Sequence, residues 1–283
     1  MGWTLKYWDV LNHLYWNPLY LGLKSIDWKK FPRDGDSVRL PVSALNKNGP
    51  IYFRKINSRE LNLSLSAMEE MLNHIFNLTF AIAPDYVVSR LFFKPLGFSD
   101  SGPFESVGRA RERFEWRENI AQPDGFFVSD KAALAIELKL KSPPNADQLL
   151  KYLALLVCEE RLSQSRKNLG LLYIAPPQNE ARFWEKCGLN GPSIDSGFLA
   201  RHQPTIKSKP IAKMLKDRPD EFRSVAERVR LHLMTWPELD ASIRKILAEL
   251  NEAKVEHQTL DRLLGGFLHQ LQRHSHTGIA SPA

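Results

Sequence analysis

The feature that most constrains the fold is a strand, a helix and a second strand in succession between residues 133 and 175. Residues 133–140 alternate apolar and polar positions, which is typical of a β-strand with two different faces. Residues 145–162 carry a broad apolar helical face, and residues 170–175 are almost wholly apolar. A buried strand reached by a helical crossover explains this order, so the sequence predicts an α/β fold with a parallel strand pair.

Further elements are predicted on both sides of this unit. Short alternating pieces at Ser37–Val42 and Ile51–Lys55 indicate strands, and a helical pattern begins near Ser64. Another alternating piece covers Val229–Thr235, and two amphipathic helices follow it toward the C-terminus, through residues 239–250 and 260–271. Together these elements predict a mixed β-sheet with helices on its faces.

Composition and charge narrow the choice of partners. The chain has 283 residues, a formal net charge of +7 and a pI of about 9.3, which favours polyanionic partners such as nucleic acid. Its unbroken apolar stretches are far shorter than a membrane span, so no membrane partner is expected. The two cysteines have no metal-ligand or redox spacing, which fits a reducing, cytoplasmic location.

Three charged residues in and just before the predicted strand 133–140 are candidates for an active site. Glu137 and Lys139 are two apart in that strand, so their side chains leave the same face about 7 Å apart. Asp124 lies in the preceding extended segment. If the turn consists of Asp130 and Lys131, Asp124 lies directly across from Glu137; a three-residue turn without a bulge would place the two on opposite faces.

Two opposed carboxylates repel each other and require a cation. Oxygen ligands favour Mg²⁺ or Mn²⁺, which also accept the phosphate oxygens of a substrate. Asp124, Glu137 and Lys139 are therefore sufficient for metal-dependent hydrolysis of a phosphodiester. The simpler alternative is that Glu137 and Lys139 form the solvated face of an edge strand.

The spacing of these residues resembles a known nuclease motif. Pro123-Asp124, twelve intervening residues and then Glu137-Leu138-Lys139 resemble the PD-(D/E)xK nuclease superfamily. Gln148-Leu-Leu-Lys-Tyr152 resembles the Gln-x-x-x-Tyr signature of its RecB-like branch, and residues four apart share one helical face. The resemblance implies a restriction-endonuclease-like fold, with a mixed β-sheet core flanked by helices.

The resemblance also implies roles for individual residues. Asp124, Glu137 and the backbone carbonyl of Leu138 would bind Mg²⁺ or Mn²⁺, and an acid of the upstream helix, for which Glu69 is preferred over Glu70, would add a weaker ligand. Lys139 would orient the nucleophilic water.

The substrate-binding residues follow from the same resemblance and from the charge pattern. Gln148 and Tyr152 would position the nucleic acid strand, and DNA is favoured over RNA. Residues 201–216 contain five Lys or Arg and no acidic residue. We expect nucleic-acid contacts from this run and from the end of the catalytic strand, through Lys141, Lys207, Lys209 and Lys213; a solvated loop is the alternative for the run.

The chain divides by composition into five segments. They are an N-terminal extension (residues 1–60), a nuclease core (61–178), a basic insertion or linker (179–228), a final strand with C-terminal helices (229–272) and a disordered tail (273–283). The expected function is a nuclease of restriction, repair or phage-defence type, with a partner protein or motor subunit as a further option. The alternatives are a catalytically silent subunit of the same fold that binds nucleic acid or scaffolds a complex, and a protein-interaction factor.

Overall fold

The computed structural model describes residues 33–34, 37–41, 53–57, 69–100, 102–116, 120–140, 144–250, 254–274 and 276–279. The chain forms two compact units, residues 1–75 and residues 76–283, and the division falls inside a helix. Among these described residues, no helix combines the length and the apolar character that crossing a membrane requires.

The first unit contains a small antiparallel sheet. Its strands are β1 (Arg33–Asp34), β2 (Ser37–Pro41) and β3 (Phe53–Asn57), in the order β1-β2-β3. Ser37 pairs with Asn57 and Pro41 pairs with Phe53. The two strands that the alternating pieces predict are therefore confirmed, because both form and pair with each other.

The second unit begins within α1 (Glu69–Ile82), which α2 (Asp85–Val88) follows. A five-residue π-helical turn at Ser89–Phe93 continues from α2. Phe76 and Phe80 of α1 pack with Phe92 of this turn, and the ring centroids of Phe80 and Phe92 are 4.8 Å apart. These rings form the start of an aromatic core.

The elements that follow build the main sheet and one of its helical layers. In chain order they are β4 (Glu105–Ser106), α3 (Ala110–Arg113), β5 (Gly125–Val128), β6 (Ala132–Leu138), α4 (Ala146–Ser163) and β7 (Asn168–Ala175). The chain then forms α5 (Phe183–Lys186), α6 (Phe198–His202), α7 (Lys209–Asp217), α8 (Pro219–Arg228), β8 (Arg230–Thr235), α9 (Trp236–Ala248) and α10 (Val255–Arg273).

The main sheet has five strands in the order β4-β5-β6-β7-β8. The pairs β4–β5 and β5–β6 are antiparallel, whereas β6–β7 and β7–β8 are parallel. The helix α4 connects β6 to β7, so the predicted parallel pair with a helical crossover is confirmed. The α/β class with a mixed sheet flanked by helices is confirmed as well.

Both faces of this sheet are covered. On one face, Phe126, Ala135 and Tyr173 join a core with the apolar side of α4. On the other face, Phe127 stacks on Phe92, and Phe80 packs against Phe267 of α10. Every residue of β6 is buried, as expected for a central strand with helices on both sides.

The edge-strand interpretation of Glu137 and Lys139 is therefore wrong. β6, which contains Glu137 and ends directly before Lys139, is the middle strand of five, and each of the two side chains is only 8% exposed. The alternating pattern of residues 133–140 arises because small and charged residues face α4, not because that face meets water. Two buried charged residues on a central strand need partners, and these partners define the site described below.

Residues 179–228 form short helices that pack onto the second unit. Phe198, Ile211, Leu215 and Phe222 are all buried, and they belong to the same core cluster as α4. At the C-terminus, Thr277 is buried beyond the end of α10, and its hydroxyl donates to the carbonyl oxygens of Leu271 and His274.

A buried ion cluster fixes the far end of α4. The Glu159 side chain is fully buried, and its carboxylate accepts from Arg113 Nε at 2.7 Å and from Lys167 Nζ at 3.1 Å. Lys167 Nζ also donates to the carbonyl oxygen of Ser129 at 2.6 Å. The cluster thus ties α4 to the β5–β6 turn, at the end of the sheet opposite to Glu137.

Candidate active site

The hairpin of β5 and β6 places two carboxylates opposite each other. Val128 pairs with Ala133 and Gly125 pairs with Ile136, so the turn consists of the two residues Asp130 and Lys131. One step beyond Gly125–Ile136, the same register sets Asp124 across from Glu137. Of the two turns that the sequence allows, the two-residue turn is the one that forms.

Asp124 is held in place by bonds to both its side chain and its backbone. One carboxylate oxygen, Oδ2, accepts from the backbone N–H of Leu138 at 2.8 Å. The side-chain amide of Asn77, on α1, donates to the Asp124 carbonyl oxygen. In an antiparallel pair, the N–H and C=O of one residue point toward the same neighbouring strand, so the Leu138 carbonyl also points toward the β5 side of the hairpin. Asp124 itself is partly exposed.

Glu137 is the centre of the site, because three side chains donate to its carboxylate. Oε1 accepts from Lys139 Nζ at 2.8 Å and from Gln148 Nε2 at 2.5 Å. Oε2 accepts from the hydroxyl of Tyr152. The structure therefore brings together Asp124 and Glu137 of the hairpin, the adjacent Lys139, and two residues of α4.

The start of α4 explains how Gln148 and Tyr152 reach Glu137. The side chain of Asn145 caps the helix by accepting from the backbone N–H of Gln148 at 2.9 Å. Gln148 and Tyr152 are four residues apart, so both face the sheet, and Gln148 Nε2 lies 3.2 Å from the Tyr152 hydroxyl oxygen. The capped helix start thus fixes these two side chains above the end of β6.

The electrostatics keep the phenol of Tyr152 neutral. Burial raises the pKa of Tyr152 well above its ordinary value, and the negative charges of Glu137 and Asp124 raise it further. A neutral phenol can donate to a carboxylate, as it does here. Tyr173 is paired with Glu137 on the neighbouring strand, and burial raises its pKa as well.

A buried thiol lies beside the lysine of the site. Burial raises the pKa of Cys187 to about 12, although the positive charge of Lys139 lowers it. At neutral pH this thiol is protonated, so it is a poor nucleophile.

Lys139 is anchored through its backbone as well as its side chain. Its N–H donates to the carbonyl oxygen of Ile174 at 2.8 Å, and its carbonyl oxygen accepts from the indole Nε1 of Trp236 at 3.0 Å. Trp236 is fully buried at the start of α9. Sequence reasoning missed Trp236 and Asn77, because both act on backbone atoms of residues distant in the chain.

The donor set of the site fits a hard divalent cation that keeps several waters. Two opposed carboxylates and a backbone carbonyl supply only oxygen atoms, and Mg²⁺ is commonly held by one or two carboxylates together with substrate phosphate. Among the described residues, no group of three or more His, Cys, Asp or Glu is arranged to hold a metal ion. Any site here therefore depends on these few ligands.

Two of the expected contacts fall on residues for which no side chain is described. Glu69 is the first residue of α1, and its side chain lies outside the described residues. Lys141 lies outside them entirely. Their assignments as a weak metal ligand and as a nucleic-acid contact remain predictions.

The basic run lies near the start of α4. The backbone N–H of Lys207 donates to Asp147 Oδ1 at 3.3 Å, and Asp147 directly precedes Gln148. Lys209 and Lys213 are exposed on α7, which packs against α4. Lys207 therefore lies at the same end of α4 as the site, and Lys209 and Lys213 lie on the helix that begins two residues after it.

The chain was compared with protein families, curated proteins and solved structures. No protein-family model, no curated protein and no solved structure matches the chain.

Proposed function

We propose that this protein is a divalent-metal-dependent nuclease that hydrolyses phosphodiester bonds in DNA, with a restriction-endonuclease-like core. One observation carries the proposal. Asp124 and Glu137 occupy opposite positions of one hairpin, and a buried lysine, a glutamine and a tyrosine converge on Glu137. Burying charged residues in this way is costly for a fold that gains nothing from them, so the cluster favours a functional role.

Asp124, Glu137 and the carbonyl of Leu138 would hold Mg²⁺ or Mn²⁺. When bound, such an ion supplies positive charge that polarises a phosphate and lowers the pKa of a water. The other contributions to catalysis come from side chains of the protein. The ammonium of Lys139, beside Glu137, orients the attacking water and neutralises the charge that develops on the phosphate.

Gln148 and Tyr152 position the scissile strand. Both carry donor groups that converge on Glu137, and Asn145 fixes the helix start from which they project. A phosphate oxygen is an acceptor of the same kind as the Glu137 carboxylate to which these groups now donate. The same donors therefore suit the substrate.

Metal-dependent cleavage tests the proposal. Purified protein would be incubated with linear, circular and single-stranded DNA, in Mg²⁺, Mn²⁺ or EDTA, beside the Lys139→Ala variant. We expect cleavage that requires the metal and falls at least 100-fold in the variant, because a positioned charge at the reacting phosphate typically contributes that much. Metal-independent cleavage, or full activity of Lys139→Ala, would refute the assignment. Binding of DNA without cleavage would favour the catalytically silent subunit.

A further inference from the structure

A stripe of lysines follows one face of α7. Lys209, Lys213 and Lys216 are spaced four and three residues apart, so their side chains share one face of the helix, and all three are exposed. The opposite face is apolar, with Ile211 and Leu215 buried in the core. With the exposed Lys207 just before the helix, these four residues form what we call the lysine stripe.

The stripe differs from an ordinary solvated helix face in its excess of positive charge, because α7 has three lysines and one acid, Asp217, exposed at its last residue. The next helix, α8, shows the ordinary pattern, with Arg223 paired to Asp220 and Arg218 paired to Glu221. Beside Lys207, the side chain of Asp147 forms an ion pair with Lys151, a cation outside the stripe. The four lysines of the stripe are exposed, so their ammonium groups face solvent.

The lysine stripe starts close to the candidate active site. Its first residue, Lys207, donates its backbone N–H to Asp147, one residue before Gln148. The helix α7 then runs along α4, because α8 beyond it reaches the far half of α4, where Arg161 pairs with Glu221. The stripe therefore begins beside the site and leads away from it.

We propose that the lysine stripe binds the sugar–phosphate backbone of a nucleic acid strand whose scissile phosphate lies in the site. Lys209 and Lys216 are separated by about 10 Å along the helix axis. One strand of duplex DNA carries about three phosphates over that length. Three exposed ammonium groups on one helix face match such a row of anions. This inference rests on the proposed nuclease function for the identity of the partner.

Salt-dependent binding tests the inference without requiring cleavage. A fluorescent DNA duplex of about 30 base pairs, and its labelled single strand, would be titrated with the full chain in EDTA at several salt concentrations, with anisotropy as the readout. The test variant replaces Lys209, Lys213 and Lys216 together by Gln. We expect its affinity to fall at least about tenfold, and the slope of log K against log salt to become shallower by about 3.

A matched control removes the same charge elsewhere. Lys131, Arg166 and Lys245 are exposed, and the first two lie at the opposite end of β6 from the site. Replacing these three by Gln should leave the salt slope within about one unit of the wild-type slope. Equal losses in the two triple variants would overturn the inference, because net charge alone would then explain the binding.

Binding and cleavage measured together test the lysine stripe and the nuclease function independently. If the wild type binds through the stripe but does not cut in Mg²⁺, the stripe is supported and the nuclease proposal fails. If the wild type cuts DNA and the α7 variant binds and cuts as well as the wild type, the inference is overturned and the nuclease stands. Absence of salt-dependent binding by the wild type also overturns the inference.

Discussion

Replacing Tyr152 by Phe tests how Glu137 is held. The Tyr152 hydroxyl donates to Oε2 of Glu137, and Tyr152 is only 3% exposed. A hydrogen bond to a charged group contributes about 1.5–3 kcal/mol. A cation that takes this oxygen must displace the phenol, so Tyr152→Phe should bind Mn²⁺ more tightly, by about 10- to 150-fold at 1.36 kcal/mol per factor of ten.

The assay is a calorimetric titration of the metal-free protein with Mn²⁺, with circular dichroism as a check that the variant is folded. The control is Tyr86→Phe, because Tyr86 is 48% exposed on α2 and should leave the Mn²⁺ affinity unchanged. An unchanged or weaker affinity in folded Tyr152→Phe would refute the reasoning. If Glu137→Gln binds Mn²⁺ as well as the wild type, the metal site itself is misassigned.

Three further predictions concern stability and reactivity. Glu159→Ala leaves the buried Lys167 without its acid and Arg113 with only the exposed Glu105, and should lower the free energy of unfolding by about 3–5 kcal/mol, measured by urea denaturation; a loss below 1 kcal/mol would contradict it. Trp236→Phe leaves the Lys139 carbonyl without its donor and should cost at least about 1–3 kcal/mol and lower kcat more than it raises KM. The buried thiol of Cys187, with a pKa of about 12, should react with a thiol reagent at pH 8 at least about 1000-fold more slowly than an ordinary thiol; a rate near that of a free thiol would contradict this. Because the folded state keeps a proton that the unfolded state releases, the free energy of unfolding should also fall as pH rises from about 8.5 toward 12.

The central part of the fold can be predicted because its apolar residues recur with a different spacing in each element. Residues 133–140 repeat every two positions and residues 145–162 have a broad helical face, so a strand and a crossover helix follow directly. The apolar run ending at Ala175 then gives the parallel partner. Each of these three segments is long enough for its pattern to exceed chance.

Other features depend on contacts that no local pattern records. Glu137 lies on a central strand because β5 and β7 pair with the two sides of β6, and the alternating pattern of residues 133–140 records neither pairing. The hairpin turn Asp130-Lys131 contains no glycine that would select its length. The bonds from Asn77 and Trp236 join side chains to distant backbone atoms, and sequence spacing carries no information about such pairs.

The helices between residues 179 and 228 were also hidden from sequence analysis for a physical reason. Most are only four to ten residues long and are separated by glycine and proline, so a helical period has little length over which to appear. Their buried residues, such as Phe198 and Phe222, are visible only after the chain packs onto α4.

The central claim is that Glu137 is essential for phosphodiester cleavage, and the most direct test is the single-turnover rate of DNA cleavage by Glu137→Gln in Mg²⁺. We predict loss of cleavage by at least about 1000-fold with DNA affinity retained or tightened, because removing a negative charge reduces repulsion of the phosphate. Asp124→Asn, across the hairpin, should behave in the same way. Full cleavage activity of a folded Glu137→Gln variant would contradict the account.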